Sequence, residues 1–282
     1  MMRTVICAII KNEERYVREW AEYHLGIGVS RIFLFEDYGS RSHVSLFEDE
    51  PRVTVSTLEA FGIKDHHNTR NQFTLYNKFL QKCKKDGEYD WVAFIDADEF
   101  VTFGDGDGYD LAGIEEEYKD IPALLMSWKN YGANGHIKRP DGGVLENYTK
   151  PSRVVESDMQ WCKKSLVNIK MCNCMKNIHI AEGAIDVNGN HNEHSCLVYK
   201  KIWIRHFFTK SWEDFCERIF ERGNMSNNFR TLDNFFVCNP DMVHMDRELI
   251  ESVRHRHCKN TMWLSKKYKL ISGGNVERIK KT

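Results

Sequence analysis

The sequence of 282 residues lacks a hydrophobic run long enough for a membrane-spanning helix, which needs about 20 predominantly apolar residues. Residues 1–10 could be mistaken for a signal sequence, but this run is short. It leads directly into Lys11-Asn12-Glu13-Glu14-Arg15 without a small-residue cleavage site. We therefore expect residues 4–10 to form a buried strand, and the protein to be cytoplasmic or at most peripheral to a membrane.

An excess of charge of one sign is also missing. The 40 basic and 41 acidic residues give a formal net charge of −1, so we expect no nucleic-acid partner. The nine cysteines are odd in number and lack the close spacing of small disulfide-stapled domains, which predicts reduced, buried thiols. The sequence contains no Gly-x-x-x-x-Gly-Lys-Ser/Thr stretch, which argues against a P-loop nucleotide hydrolase.

Apolar, β-branched runs alternate with amphipathic segments up to residue 95, a pattern that predicts a parallel sheet flanked by helices, an α/β fold. The predicted strands are 4–10, 31–35, 52–56 and 91–95, and the predicted helices are 17–25 and 71–83, the latter with Phe73, Tyr76, Leu80 and Cys83 on its buried side. Ligands of open parallel sheets bind outside the carboxyl ends of the strands. Those ends carry Lys11-Asn12-Glu13, Glu36-Asp37 and Asp96-Ala97-Asp98-Glu99.

Beyond residue 100 the sequence becomes rich in Gly and Asn, with short strand-like pieces between residues 128 and 205. This texture predicts a mixed, partly antiparallel second half. An amphipathic helix is predicted after Ser211, whose side chain suits an N-cap. From Arg254 onward, nine Lys and Arg residues stand against one Glu, which fits either a solvated helical end or an anchor at a lipid surface.

Asp96-Ala97-Asp98 follows an entirely apolar run, Trp91-Val92-Ala93-Phe94-Ile95. Where the strand ends and the chain turns, both carboxylates can face the same crevice. Two anionic groups on an apolar wall resist ionisation unless a cation joins them. Mg²⁺ or Mn²⁺ would provide that charge and keep open positions for phosphate oxygens. Acidic residues also commonly end strands at the surface, so this motif alone is weak evidence for a metal site.

That context is a set of further motifs between residues 4 and 225. They are Ala8-Ile9-Ile10-Lys11-Asn12-Glu13, Glu19, Tyr23-His24, Gln72, Asn77, Phe94-Ile95-Asp96-Ala97-Asp98-Glu99-Phe100, Trp128 to His136, Lys164-Ser165, His179, His206 to Ser211, Glu213-Asp214-Phe215, Arg218 and Arg222-Gly223. Together they resemble GT-A-fold glycosyltransferases of the family 2-like group related to glycosyltransferase family 92. The implied fold is a Rossmann-like, mostly parallel sheet with a mixed acceptor half.

The resemblance also implies a division of the chain. Residues 1–245 would be a single catalytic domain, with a nucleotide-sugar-binding half at 1–103 and an acceptor half at 104–245. Residues 246–282 would be a basic helical extension. The implied partners are a nucleotide-sugar donor, which family analogy favours as uridine-linked, and a glycan or lipid-linked acceptor hydroxyl. The expected reaction is a metal-dependent, inverting transfer.

The resemblance assigns several residues to the donor. They are Lys11, Glu13 and Asp37 near the base and ribose, Arg70 and Gln72 near the sugar, Asp96 at the diphosphate, and Lys210. Asp96 and Asp98 would hold Mn²⁺ or Mg²⁺ against the diphosphate, with Asp98 central to catalysis. A late histidine often completes such a site, and His206 is the stronger candidate because it ends an apolar run, with His179 as its rival.

An inverting transfer requires a general base for the acceptor hydroxyl. The acidic candidates in the predicted acceptor half are Glu146, Glu156, Glu182 and Asp186. We favour Glu182 or Glu146. Nothing in the sequence places any of the four beside a hydroxyl, so the assignment stays open among them.

Three other interpretations compete with a glycosyltransferase. A haloacid dehalogenase-like phosphatase could also place Asp96 and Asp98 after an apolar strand, although it leaves the earlier polar clusters unexplained. A non-catalytic nucleotide-sugar- or carbohydrate-binding module could keep a metal site without turnover. Cys162, Cys172 and Cys174 with His179 would suit zinc by residue type, but their spacing does not match common zinc motifs.

Overall fold

The computed structural model of the protein describes residues 2–64, 69–104, 108–152, 162–192, 196–219, 235–236, 238–242, 268–270 and 276–278. By its internal contacts the chain forms two compact units. Unit 1 consists of Met1–Lys129 and Glu156–His206, and unit 2 consists of Asn130–Val155 and Phe207–Thr282.

A nine-stranded sheet forms the centre of unit 1. Its strands are β1 Thr4–Ile10, β2 Arg31–Glu36, β3 Val53–Thr57, β4 Trp91–Phe94, β5 Glu99–Phe103, β6 Ala123–Asn130, β7 Lys163–Asn168, β8 Ala184–Ile185 and β9 Ile202–His206. Their spatial order is β3-β2-β1-β4-β7-β6-β9-β5, and β8 pairs with β6 outside this order.

The sheet is parallel in its first part and mixed in its second. β3, β2, β1 and β4 run parallel to one another. The pairs β4–β7, β7–β6 and β9–β5 are antiparallel, and β6–β8 is parallel. The predicted α/β class, with a Rossmann-like parallel sheet and added antiparallel strands, is confirmed.

The parallel part follows the predicted pattern closely. β1 is buried along its whole length, because it is covered by neighbours on both edges and both faces and has no solvated side for polar residues. Helix α1, Val17–Gly26, buries the predicted face of Val17, Trp20, Ala21, His24 and Leu25. Since β1, β2 and β4 are parallel, their carboxyl ends lie along one edge of the sheet.

Helix α2, Thr69–Asp86, is longer than predicted and has one predicted core residue on the wrong side. Tyr76, Leu80 and Cys83 are buried as expected, but Phe73 is 37% exposed. The buried stripe starts with two polar residues, Asn71 and Gln72, and continues in steps of three or four residues. A polar residue can occupy this buried position because Gln72 hydrogen-bonds the carboxylate of Asp96.

β5 is an edge strand whose outer backbone groups are bonded by side chains of α1. The indole of Trp20 donates to the Glu99 carbonyl at 2.7 Å, and the Tyr23 hydroxyl donates to the Val101 carbonyl at 2.6 Å. The Val101 N–H donates to His24 Nε2 at 3.2 Å. These bonds satisfy groups that a bare sheet edge would leave unpaired, and they attach the strand that begins with Glu99 to the parallel half.

The remaining regular elements are short. They are helices α3 Leu111–Glu117, α4 Val144–Asn147 and α5 Trp212–Glu217, 3₁₀ turns Val44–Phe47 and Pro240–Met242, and the antiparallel strands β10 Tyr268–Leu270 and β11 Val276–Arg278. Among the helices in the described ranges, none has the length and apolarity to cross a membrane. Apart from β10 and β11, the predicted extension 246–282 lies outside the described residues.

Unit 2 has its own hydrophobic cluster around α5. The N-cap predicted at Ser211 is confirmed: its hydroxyl accepts from the Asp214 N–H at 3.0 Å, and the Asp214 carboxylate accepts from the Ser211 N–H at 3.3 Å, a capping box. The buried residues of the cluster are Ala133, Trp212, Phe215, Cys216, Phe235 and Met242.

Candidate active site

The acidic motif lies in a tight turn between β4 and β5. The Glu99 N–H donates to the Asp96 carbonyl at 3.0 Å, and the Asp96 N–H donates back to Glu99 Oε2 at 2.9 Å. This reciprocal pair closes the turn over Ala97-Asp98. Asp98 and Glu99 are both buried, at 2% and 0% exposure, so the turn holds acidic groups inside the protein, where a charge needs a partner.

The Asp96 carboxylate has a partner on each oxygen. Gln72 Nε2 donates to Oδ1 at 2.8 Å, and the Lys164 ammonium donates to Oδ2 at 3.0 Å. Burial acts to raise the pKa of Asp96, but the positive charge of Lys164 outweighs it and leaves the pKa below its ordinary value. Asp96 is therefore an ionised group of fixed orientation.

Asp98, Glu99 and His206 form a second group beside Asp96. Strands β5 and β9 pair with Glu99 directly opposite His206, which places two residues far apart in the sequence as cross-strand neighbours. His206 Nε2 lies 3.8 Å from Asp98 Oδ1, and one ligand atom from each of the three residues falls within 4.8 Å of the others. Burial raises the pKa of Glu99 well above its ordinary value.

The donor set fits a divalent cation such as Mn²⁺, because two carboxyl groups and one imidazole supply the oxygen and nitrogen ligands that this ion accepts. Glu99 Oε1 is buried and has no hydrogen-bond partner in the part of the chain that the structure describes. The Lys164 ammonium lies 3.8 Å from this oxygen, beyond hydrogen-bond distance, and a bound cation would supply the close contact that a buried carboxyl oxygen needs. Asp98, Glu99 and His206 could therefore hold the ion.

Of the three predicted metal ligands, Asp96, Asp98 and His206, the structure groups Asp98 and His206 with Glu99 and leaves Asp96 beside the group. The sequence did not predict Glu99 as a candidate ligand although it belongs to the same motif, since its position opposite His206 depends on the antiparallel pairing of β5 with β9. Lys164 is among the residues of the family resemblance, but the sequence assigns it no role. Its contact with Asp96 joins residues 68 positions apart in the sequence, so no local pattern predicts it.

His179 lies near this group but outside the three-residue cluster. The Trp128 ring contacts both histidines, with its centroid 4.3 Å from that of His206 and 5.3 Å from that of His179. Burial, aided by the nearby Lys164 charge, lowers the pKa of His179 to about 3. Geometry therefore favours His206 over His179 as a ligand. His179 is a neutral ring that packs against Trp128.

The ends of β1 and β2 are linked by a second set of polar contacts. Lys11 Nζ lies 3.4 Å from Asp37 Oδ2. The fully buried His43 accepts from the Glu13 N–H through Nε2 at 3.0 Å, and its Nδ1 lies 3.2 Å from the Glu36 carboxylate. Lys11, Glu13 and Asp37, predicted near the donor, thus share one edge. His43 was missed because it follows a turn and shows no periodic pattern.

The other predicted site residues are more dispersed. Gln72 reaches Asp96, whereas Arg70 is exposed at the start of α2. Lys210 is buried in unit 2, with a left-handed backbone at φ 50°. This strained conformation is uncommon for a residue with a side chain.

Three of the four candidates for a general base can be placed. Glu182 is half-buried in unit 1, where its N–H donates to the Cys174 carbonyl at 2.9 Å. Glu146 is exposed in unit 2. Asp186 is buried, and its carboxylate accepts from the Asn188 and Asn190 N–H groups at 2.8 and 3.0 Å, a loop-closing role. Glu156 lies outside the described residues.

The cysteines do not form a second site in the described ranges. Their ligand atoms do not gather with His179 into a cluster, and the Cys172 thiol instead donates to the Cys174 carbonyl at 3.4 Å. The eight cysteines that the structure describes are free thiols, and five of them are buried: Cys7, Cys83, Cys162, Cys172 and Cys216. Cys258 lies outside these ranges.

Fold and site together define a Rossmann-like α/β protein with a buried acidic cluster at the carboxyl edge of its parallel strands. The chain belongs to glycosyltransferase family 92, whose family model matches residues 4–234.

Curated relatives of that family support the assignment at low identity. A family 92 protein of Ricinus communis is 26% identical over 227 residues, covering 77% of this chain and 37% of the relative. One of Oryza sativa subsp. japonica is 24% identical over 224 residues, covering 76% and 34%. The chain thus spans about a third of the length of the curated relatives it matches. Among solved structures, HddC from Yersinia pseudotuberculosis complexed with GMP-PN shares 12% identity over 74% of this chain and 90% of its own, with a TM-score of 0.35.

Proposed function

We propose that this chain is a metal-dependent glycosyltransferase that moves a sugar from a nucleotide-sugar donor to a hydroxyl of a glycan or lipid-linked acceptor, with inversion at the transferred carbon. The donor is uridine-linked in this proposal. The observation that carries it is the cluster of Asp98, Glu99 and His206 at the carboxyl edge of the sheet, in a chain of glycosyltransferase family 92. Open α/β sheets bind nucleotides at this edge.

In the proposed site, Asp98, Glu99 and His206 hold Mn²⁺ or Mg²⁺. A divalent ion held there would supply Lewis-acid chemistry, with positive charge to offset that of the diphosphate leaving group. Asp96, fixed by Gln72 and Lys164, presents an oriented carboxylate to the donor. This proposal differs from the expectation that Asp96 and Asp98 both hold the metal, because it assigns Asp96 to the donor.

The edge formed by Lys11, Glu13 and Asp37 would receive the nucleoside. Support comes from the contacts that join the ends of β1 and β2, since preorganised polar groups lose less entropy on binding. Arg70 and Lys210 are proposed donor contacts on the resemblance alone. Glu182 and Glu146 stay the predicted candidates for the general base. Cytoplasmic placement and peripheral membrane contact through residues 246–282 also stay predictions.

The test is sugar transfer from a panel of nucleotide sugars, with and without EDTA, by the wild type and Asp98→Asn. We expect EDTA to abolish transfer, with recovery on adding Mn²⁺, and Asp98→Asn to lower it at least about a hundredfold. Asp86→Asn is the matched control, because Asp86 is exposed at the end of α2, where it pairs with Lys82. It should transfer like the wild type.

Other outcomes would identify the competing classes. Transfer that survives both EDTA and Asp98→Asn would contradict metal dependence. Phosphate release from simple monoesters without transfer would indicate the phosphatase. Donor binding without turnover of any sugar would indicate the binding module. Circular dichroism of each variant confirms that the fold is retained.

A further inference from the structure

Lys164 places a permanent positive charge inside the carboxyl cluster. The side chain is fully buried on β7. Its ammonium lies 3.0 Å from Asp96 Oδ2 and 3.8 Å from Glu99 Oε1, and 5.9 Å from the centre of the Trp128 ring. A buried ammonium is costly unless it is paired, so its position between two carboxyl groups indicates a specific electrostatic role.

The same carboxyl groups face two competing cations. Glu99 contacts Lys164 and is also one of the three groups that could hold a divalent ion. An ion bound there would stand near a fixed like charge, and like charges repel strongly at short range in a protein interior. Lys164 therefore stabilises the cluster when no metal is bound and opposes the entry of a bare divalent cation.

We propose that Lys164 is an internal counter-ion that lowers the affinity of the cluster for a bare divalent metal, so that tight metal binding depends on an anionic ligand arriving with it. This role rests on the metal site of the proposed function. A diphosphate-bearing donor is the class of ligand that fits, because its negative charge offsets the ammonium. Metal and donor would then stabilise each other's binding, as reciprocal coupling requires.

The neighbouring lysine provides a matched control. Lys163 precedes Lys164 on the same strand and is also buried, at 1% exposure. Successive side chains of a strand point to opposite faces, so Lys163 does not share the face of the cluster. Replacing either lysine by Gln removes one buried positive charge and keeps a side-chain hydrogen-bond donor. Of the two, Lys164 is the one that contacts Asp96 and Glu99.

The experiment titrates Mn²⁺ alone into the wild type, Lys164→Gln and Lys163→Gln, with free Mn²⁺ followed by electron paramagnetic resonance and without any nucleotide. We expect Lys164→Gln to bind Mn²⁺ about tenfold more tightly than the wild type, or better, and Lys163→Gln to match the wild type. Mn²⁺ should also raise the melting temperature of Lys164→Gln more than that of the wild type. A merely structural lysine would not produce tighter binding when lost.

Unchanged or weaker Mn²⁺ binding by Lys164→Gln would overturn the proposal, and so would the absence of Mn²⁺ binding in all three proteins. If Lys164→Gln does not fold alone, Lys164→Met is measured as well. If both variants are unfolded without metal and fold when Mn²⁺ is added, the counter-ion role is supported. If both stay unfolded with Mn²⁺ present, the role is refuted. An unchanged Mn²⁺ affinity of Lys164→Gln would refute only the counter-ion role of Lys164. Sugar transfer that resists EDTA would refute the metal dependence of the proposed function.

Discussion

His24 links folding stability to pH in a way that can be calculated from its contacts. The imidazole is fully buried, with Nδ1 2.7 Å from the Trp20 carbonyl and Nε2 accepting from the Val101 N–H. Since Nε2 accepts from an N–H, Nδ1 carries the proton, and the ring is neutral. Burial lowers the pKa of His24 from its ordinary value of 6.5 to about 3, because a charged ring would lose its hydration.

A depressed pKa in the folded state fixes the sign of the effect. Above about pH 6.5, the ring is neutral in both states and contributes no pH dependence. As the pH falls from there toward 3, His24 binds a proton in the unfolded chain but not in the folded chain, so the free energy of unfolding decreases. Each unit of pH costs about 1.4 kcal/mol, and by about pH 5 the loss from His24 amounts to about 2 kcal/mol.

The measurement compares urea unfolding of the wild type and His24→Gln at about pH 8 and pH 5. Gln keeps donor and acceptor atoms but does not titrate. We expect the variant to be less stable at the higher pH by about 2 kcal/mol, from lost packing and bent hydrogen bonds, and this gap to shrink by about 2 kcal/mol at pH 5. His179 and other groups titrate in both proteins and cancel in the difference. A gap that stays constant with pH would show that the ring is not held neutral.

Two further predictions concern packing. Leu75→Ala should lower the free energy of unfolding by about 3 kcal/mol, whereas Phe73→Ala should cost less than about 1 kcal/mol, because Leu75 is fully buried and Phe73 is 37% exposed; equal losses in urea unfolding would contradict the observed phase of α2. Gly132→Ala should destabilise unit 2 by about 1–3 kcal/mol, since a Cβ there would come within 2.7 Å of Asn239 Oδ1; hydrogen exchange of the Ala133 amide, which donates to Asn239, checks this, and unchanged exchange would refute it.

Local pattern was sufficient for the parallel half of the sheet. The apolar runs predicted β1 and β2 almost to the residue, and periodicity predicted the buried face of α1. The predicted buried face of α2 was wrong at Phe73 for a physical reason. Its buried stripe begins with two polar residues, Asn71 and Gln72, and Gln72 is satisfied there by Tyr76 and by Asp96, 24 positions away. Hydrophobicity alone cannot reveal a polar group satisfied by tertiary structure.

The sequence by itself determined where the acidic motif lies and which side chains share its edge, because an apolar strand and parallel topology are encoded in short segments. Only the tertiary structure decided which groups meet there. The register of β5 against β9 placed Glu99 opposite His206, and the pairing of β7 with β4 brought Lys164 to Asp96. Strand pairing depends on contacts between distant segments, whose free energy no single segment contains. These strand pairings place Asp98 in a buried cluster with Glu99 and His206, and they place Asp96 against the buried ammonium of Lys164.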